Sequence, residues 1–169
     1  MATNSEPILI TRVFNASLAD VWKSWTAPEK IKQWWGPKDY TAPTIKCDVR
    51  VGGVYLFAMK SPENKTYWST GTYKEVAPHS ELVFTDSFAD ENGNVVSSEY
   101  YDMPGIPKEL LVTVKFEEQG SKTKMTLKHE GFPPGEIADM CKIGWNESFD
   151  KLEKTFFQGK EFWQEAKSA

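Results

Sequence analysis

Apolar and polar residues alternate with a period of two along much of the chain between residues 44 and 129. Such alternation predicts β-strands that bury one face. The clearest segments are 110–116 and 122–129, and in the second of these lysine and threonine take the phase opposite the apolar residues. A lysine-rich face of this kind is typical of an antiparallel sheet that meets water on one side. We predict strands at 44–51, 55–59, 67–76, 82–88, 110–116 and 123–129.

The last part of the chain changes to a helical period. The apolar positions with this spacing are Ile137, Cys141, Gly144, Trp145, Phe149, Leu152 and Phe156. They form one stripe of a long amphipathic helix, which needs an apolar surface to cover. The buried face of the predicted sheet offers that surface. We therefore expect the helix to lie across the sheet and to enclose a pocket with it.

One strand and two short helices precede the alternating segments. The strand is predicted at 7–15, and Ser17 follows it as a helix cap, because a serine oxygen accepts hydrogen bonds from free backbone N–H groups. Pro28 suits the first turn of a second helix, which contains Trp34 and Trp35 and stops at a Gly-Pro pair. The element order is strand, two short helices, antiparallel strands and a long helix, which is an α+β fold.

Two segments fit neither period. Residues 95–107 contain two tyrosines, two prolines and a glycine, and they are either a plain connection or a lid over the pocket entrance. The last residues, 157–169, form a tail that continues the helix or docks on the domain or on a second copy. Phe162 and Trp163 in this tail would favour a dimer if both were exposed.

Length and charge limit the function. A chain of 169 residues is the usual size of one domain, so we expect a single domain over 1–169 with its core at about 8–156. The net charge of −4 and the lack of a dense lysine or arginine run argue against nucleic acid as a partner. We find no apolar run long enough for membrane insertion and no signal sequence, and we expect a soluble, cytoplasmic protein.

The histidines and cysteines do not predict a metal site. Cys47, His79, His129 and Cys141 are the available nitrogen and sulfur ligands, and none lies within five residues of another. The two cysteines fall in apolar phases of their segments, so we expect reduced thiols in the core. No glycine-rich phosphate loop is present, and we expect no cofactor.

Among the polar residues, His129 is the strongest candidate for a functional role. It is in phase with Met125 and Leu127, so it should face inward, and Asp86 is in phase with Phe84 and could face it. One interpretation is a structural histidine with satisfied hydrogen bonds. The other is a group that orients a ligand or carries a proton near neutral pH. The sequence places no second catalytic group beside it, and we assign no catalytic residue.

The predicted pocket takes its walls from the inward phases of the sheet and the helix. Gly71 leaves space for a close neighbour or a ligand. Of the adjacent Trp34 and Trp35, one is expected to pack in the core while the other covers the pocket mouth; the alternatives are a gate or an exposed patch for a partner. The same aromatic residues could also fill the space themselves. The predicted lining is Trp35, Tyr55, Phe57, Gly71, Tyr73, Phe84, Asp86, Val112, Val114, Met125, Leu127, His129, Trp145 and Phe149.

Several sequence motifs, taken in order, resemble a known family. The residues that carry the resemblance are Val21 to Thr26 with Pro28-Glu29-Lys30, Trp34-Trp35-Gly36-Pro37, Asp48 to Tyr55, Gly71 to Val76, Leu82 to Thr85, and Gly144-Trp145 with Phe149 and Leu152. Together they resemble the activator of heat shock protein 90 ATPase homologue-like family, within the START-like, Bet v-like helix-grip superfamily. The resemblance extends from about Ile8 to Phe156.

The resemblance implies a helix-grip fold, in which a curved antiparallel sheet wraps a long C-terminal helix and two short helices follow the first strand. Members of the superfamily typically bind lipids, sterols, polyketides or other apolar molecules. We therefore expect a protein that binds a hydrophobic small molecule. The alternatives are stimulation of a chaperone ATPase, for which we see no room for the additional N-terminal domain before Ile8, and an enzyme such as a cyclase or hydrolase. Monomer and homodimer both stay open.

Overall fold

A seven-stranded antiparallel sheet dominates the computed structural model, which describes residues 6–168, with side chains as far as Phe157. The strands are β1 (Ile8–Phe14), β2 (Thr41–Cys47), β3 (Val54–Lys60), β4 (Thr66–Ala77), β5 (Glu81–Ala89), β6 (Leu110–Gln119) and β7 (Lys122–Glu130). The helices are α1 (Leu18–Thr26), α2 (Pro28–Ile31) and α3 (Glu136–Ser168), and a short 3₁₀ helix spans Ser98–Tyr101.

The strands follow the order β1-β7-β6-β5-β4-β3-β2. Strands that are neighbours in sequence from β2 to β7 pair with one another. β1 is the exception: it pairs with β7, which is far from it along the chain, with Ile8 opposite His129 and Phe14 opposite Thr123. The sheet curls around α3, and the two short helices stand between β1 and β2. The predicted α+β helix-grip fold is confirmed.

Local chemistry explains where the first helices begin. The side-chain oxygen of Ser17 accepts a hydrogen bond from the backbone N–H of Asp20 at 3.1 Å, as an N-cap requires. Pro28 occupies the first turn of α2, where no backbone donor is needed. The predicted starts of both helices are thus confirmed.

The core lies between the concave sheet face and α3. Leu127 from β7, Val112 from β6 and Phe149 and Leu152 from α3 are fully buried. Each such side chain contributes about 1.5–3 kcal/mol through its removal from water. Arg12 at the sheet edge also reaches α3, where its guanidinium donates to the carbonyl oxygen of Asn146 at 3.1 Å and to the carboxylate of Asp150 at 2.9 Å.

Several predicted boundaries are wrong. β2 covers Thr41–Cys47 instead of 44–51, because residues after Cys47 turn: the backbone N–H of Gly53 donates to the Arg50 carbonyl. Asp48 and Arg50 form an exposed ion pair at 2.7 Å in this turn. The second helix ends at Ile31, so the two tryptophans that follow lie in a turn.

The two unassigned segments also have structure. Residues 95–107 contain the 3₁₀ helix, where Tyr101 is buried and its hydroxyl donates to the Ala89 carbonyl. The predicted tail continues α3 as far as Ser168. The side chains of Phe162 and Trp163, on which the dimer hypothesis depended, lie outside the described part. None of the described helices is long and apolar enough to cross a membrane.

Candidate functional site

A buried histidine joins the sheet to α3. His129 projects from β7 with 3% of its side chain exposed, and its Nε2 atom lies 3.1 Å from Oδ2 of Asp86 on β5. The indole N–H of Trp145 on α3 donates to the opposite ring nitrogen, Nδ1, at 2.9 Å. The three side chains therefore form a chain of polar contacts, Asp86–His129–Trp145, which crosses the space between the sheet and the helix.

The hydrogen bond from Trp145 fixes the tautomer of His129. An indole nitrogen can only donate, so Nδ1 must accept and cannot carry a proton. The neutral ring then holds its proton on Nε2, on the side of Asp86. The carboxylate oxygen lies off the line of a good Nε2–H hydrogen bond, so the contact is mainly electrostatic.

The Asp86 carboxylate has no lysine or arginine within ion-pair distance in the described part of the chain. Its partner within ion-pair distance is the neutral His129, and 26% of the Asp86 side chain is exposed. Tyr55 stands close to it: its hydroxyl donates to the Thr85 carbonyl at 2.8 Å. Burial, followed by the charge of Asp86, holds the pKa of Tyr55 well above its usual value. Asp86 thus forms the polar end of the site, which is accessible to solvent.

Cys141 completes the surroundings of His129. Its sulfur lies 3.8 Å from Nδ1, one turn before Trp145 on α3. Burial and the charge of Asp86 raise the pKa of this thiol to about 12. Both cysteines are free, and both are partly buried and pack against the edge of the hydrophobic core. The described residues contain no cluster of three or more side chains suited to hold a metal ion.

Aromatic rings surround the polar chain. Trp35 contacts Phe57 with ring centroids 4.8 Å apart and Trp145 at 5.6 Å. Phe57 contacts Tyr55 at 4.6 Å, and Trp145 contacts Phe149 at 5.5 Å. The rings therefore touch one another from the sheet to the helix, and much of the space between these elements is occupied by side chains.

The close packing around Gly71 explains why a glycine occupies this position. A Cβ atom there would stand 1.9 Å from the Thr85 carbonyl oxygen and 2.7 Å from the ring of Tyr55. The close neighbour that the sequence predicted is therefore a strand backbone with the Tyr55 ring beside it. The missing side chain lets Tyr55 cross β4 and reach Thr85 on β5.

The structure brings much of the predicted lining together around two centres. Asp86, His129 and Trp145 form the polar chain, and Trp35, Tyr55, Phe57, Tyr73, Phe84 and Phe149 form connected ring contacts. Val112, Val114, Met125 and Leu127 are completely buried core residues in the centre of the sheet. Of the two adjacent tryptophans, Trp34 is buried in the core and Trp35 is half-buried.

A depression of about 620 Å³ lies elsewhere, on the outer face of the sheet. Outward residues such as Val83, Leu111 and Lys128 line it. This face is opposite α3, so the depression is distinct from the predicted pocket.

The match to a family model decides the relationship. The model described as Activator of Hsp90 ATPase homolog 1-like protein matches residues 15–156. The chain belongs to this family. A search of curated proteins finds no match to this chain.

Solved structures have the same fold as this chain. A protein from Chromobacterium violaceum is 22% identical, with a TM-score of 0.74 and coverage of 89% of this chain and 96% of the other. One from Staphylococcus epidermidis is 25% identical, with a TM-score of 0.73 and coverage of 94% and 93%. One from Arthrobacter aurescens is 28% identical, with a TM-score of 0.71 and coverage of 86% and 82%.

Some contacts around His129 and Trp145 were not predicted from the sequence. Trp25 on α1 contacts Trp145 at 6.1 Å and Phe149 at 6.1 Å, and Phe132 contacts His129 at 4.7 Å. The helical phase of Trp25 placed it on an apolar face, which is a signal for burial but not for its partners. Phe132 follows β7 directly, and only the path of the chain after the strand brings it back over the imidazole.

Proposed function

We propose that the protein binds an apolar or amphipathic small molecule between the sheet and α3, at the end where Asp86 meets solvent. The observation that carries this proposal is the polar chain Asp86–His129–Trp145 among aromatic side chains. Binding sites for small molecules are commonly apolar, with a few polar groups that fix the orientation of the ligand. The fold of the family is compatible with such a role.

The exposure of the surrounding residues supports this location. His129 itself is buried, whereas Asp86, Cys141, Trp145 and Trp35 around it are only partly buried. A molecule that enters between them would place its apolar part against the rings of Trp35 and Trp145 and its polar end near Asp86. Trp35 follows α2 on a turn, where Gly36 has a φ of 101°. A side chain on a turn moves aside at less cost than one inside a helix.

The geometry favours binding over proton transfer. Nδ1 of His129 accepts from Trp145, and Nε2 faces Asp86. Both ring nitrogens therefore already face protein groups, and the imidazole has no free atom to offer a substrate. Its role in the proposal is to hold the Asp86 carboxylate in place.

Native mass spectrometry of the protein purified from its own host tests the proposal. We expect a retained mass that disappears under denaturing conditions. A displacement assay with an uncharged fluorescent lipid probe then measures the affinity, and we expect a dissociation constant in the micromolar range or below.

A pair of variants tests the location. Cys141→Phe adds bulk beside His129, whereas Ile143→Phe adds a ring on the same helix at a side chain that is 60% exposed. We expect the first variant to weaken probe binding at least tenfold and the second to leave it unchanged. Equal binding by both variants, with both folded by circular dichroism, would contradict the proposed location.

A further inference from the structure

We propose that the ligand carries a cationic amino group, and that Asp86 supplies its countercharge. This inference rests on the proposed function and names the chemistry of the ligand at the same site. The unusual feature is a carboxylate that lies about three-quarters buried in an aromatic environment without a cationic partner in the described part of the chain.

The charge of Asp86 is the first argument. A buried carboxylate is costly unless a cation or several hydrogen bonds compensate it. The neutral ring of His129 offers one N–H dipole, and that dipole is poorly aligned. An ammonium group beside the exposed oxygen of Asp86 would supply the missing charge, whereas a carboxylate or phosphate in the ligand would add to the repulsion.

Two positive side chains that lie on α3 or reach it have other partners. Lys151 on α3 donates to the carbonyl oxygens of Pro37 at 3.2 Å and Tyr40 at 3.1 Å, and burial lowers its pKa. Arg12 at the sheet edge pairs with Asp150 on the outer side of α3. Neither side chain forms an ion pair with Asp86, so its charge is available to a ligand.

The aromatic rings are the second argument, and they are independent of the first. A cation is attracted to the face of an aromatic ring, most strongly to tryptophan. Trp35 meets Trp145 nearly at a right angle, at 88°, and meets Phe57 at 72°. These are edge-to-face contacts in which the rings touch one another, so little room is left between them. The half-buried Trp35 keeps part of its ring accessible, and the methylene groups next to an ammonium, which share its positive charge, are attracted to such a surface.

The test compares three ligands with the same chain and different heads: decylamine, decanol and decanoate, each below its micelle concentration at pH 7. Isothermal titration calorimetry on the full-length protein measures the affinities. We expect decylamine to bind at least tenfold more tightly than the other two. Equal affinities would overturn the cationic assignment and leave the proposed binding site intact, whereas no binding by any of the three would contradict both.

Two variants then test the role of Asp86. Asp86→Asn keeps the shape and removes the charge, and we expect it to lower the affinity for decylamine at least tenfold while the affinity for decanol stays the same. Asp139→Asn is the matched control, because it removes the same charge from an exposed aspartate in the first turn of α3, the helix that covers the site. An equal loss in both variants would mean that only long-range charge attracts the amine, and it would overturn the proposed contact.

Discussion

The hydrogen bond between Trp145 and His129 gives a sharp prediction for stability. Trp145→Phe keeps an aromatic ring on α3 but removes the indole N–H that donates to Nδ1 at 2.9 Å. Because His129 is almost fully buried, its Nδ1 atom would then have no donor from Trp145 and little access to water. We expect this variant to be less stable for that reason, beyond any effect of the smaller ring.

The size of the effect follows from the burial of the acceptor. A buried polar atom that loses its partner costs about 1–3 kcal/mol. In a protein of this length, ~1 kcal/mol lowers the melting temperature by about 2–4 °C. We therefore expect a decrease of roughly 2–12 °C for Trp145→Phe that is specific to the lost hydrogen bond.

Trp35→Phe is the matched control for this measurement. It makes the same change of ring in a side chain that is half-buried and that donates no hydrogen bond to another described residue. Urea unfolding followed by circular dichroism measures both variants without relying on tryptophan fluorescence. If both lose the same stability to within ~0.5 kcal/mol, the hydrogen bond contributes nothing and the reasoning about His129 is refuted.

Three further predictions concern the thiol, the glycines and a helix cap. In a Cys47→Ser background, Cys141 should react with a maleimide about 50-fold more slowly at pH 7 than an ordinary thiol, and the reaction should become faster as pH rises. A pKa of about 12 in place of 9.0 lowers the fraction of thiolate about a thousandfold, and the higher nucleophilicity of the more basic thiolate offsets about 20-fold of that loss in rate. Gly71→Ala should lose about 1–3 kcal/mol of unfolding free energy by crowding the Thr85 carbonyl, whereas Gly144→Ala in α3 should gain about 0.5–1 kcal/mol because its new methyl meets only ordinary contacts; urea titrations that give both the same sign would contradict this. Ser17→Ala should cost about 1 kcal/mol through loss of the cap, and unchanged thermal melting would argue against it.

The fold was predictable because two periods dominate the sequence. Lysine against apolar residues in β7 and the helical stripe from Ile137 to Phe156 each specify one buried face, and burying both requires the helix to cover the sheet. The element ends were less predictable. Val49 and Val51 keep the alternation of β2, but the backbone already turns there, because hydrogen bonds within the turn replace those of the strand.

The sequence predicted which face of the sheet carries the residues of the candidate site, but not which of these residues contact one another. Phase placed Asp86 and His129 on the inner face, and both are there. Their approach depends on the register of three strands: Val112 pairs with both Phe84 and His129, and this brings the next inward residue of β5 diagonally toward the imidazole. The hydrogen bond from Trp145 to His129 depends on how α3 is rotated about its axis on the sheet. Tertiary packing determines this rotation, and the local sequence pattern does not.

The pairing of β1 with β7 has a consequence for how the chain reaches its folded state. Ile8 and His129 are neighbours in the sheet although almost the whole domain separates them along the chain. Closing so long a loop is entropically costly and slows the step that depends on it. On the ribosome, β1 emerges first and must wait for β7, and only the local hairpins from β2 onward can form in the meantime. The first strand to be synthesised is thus among the last to find its place.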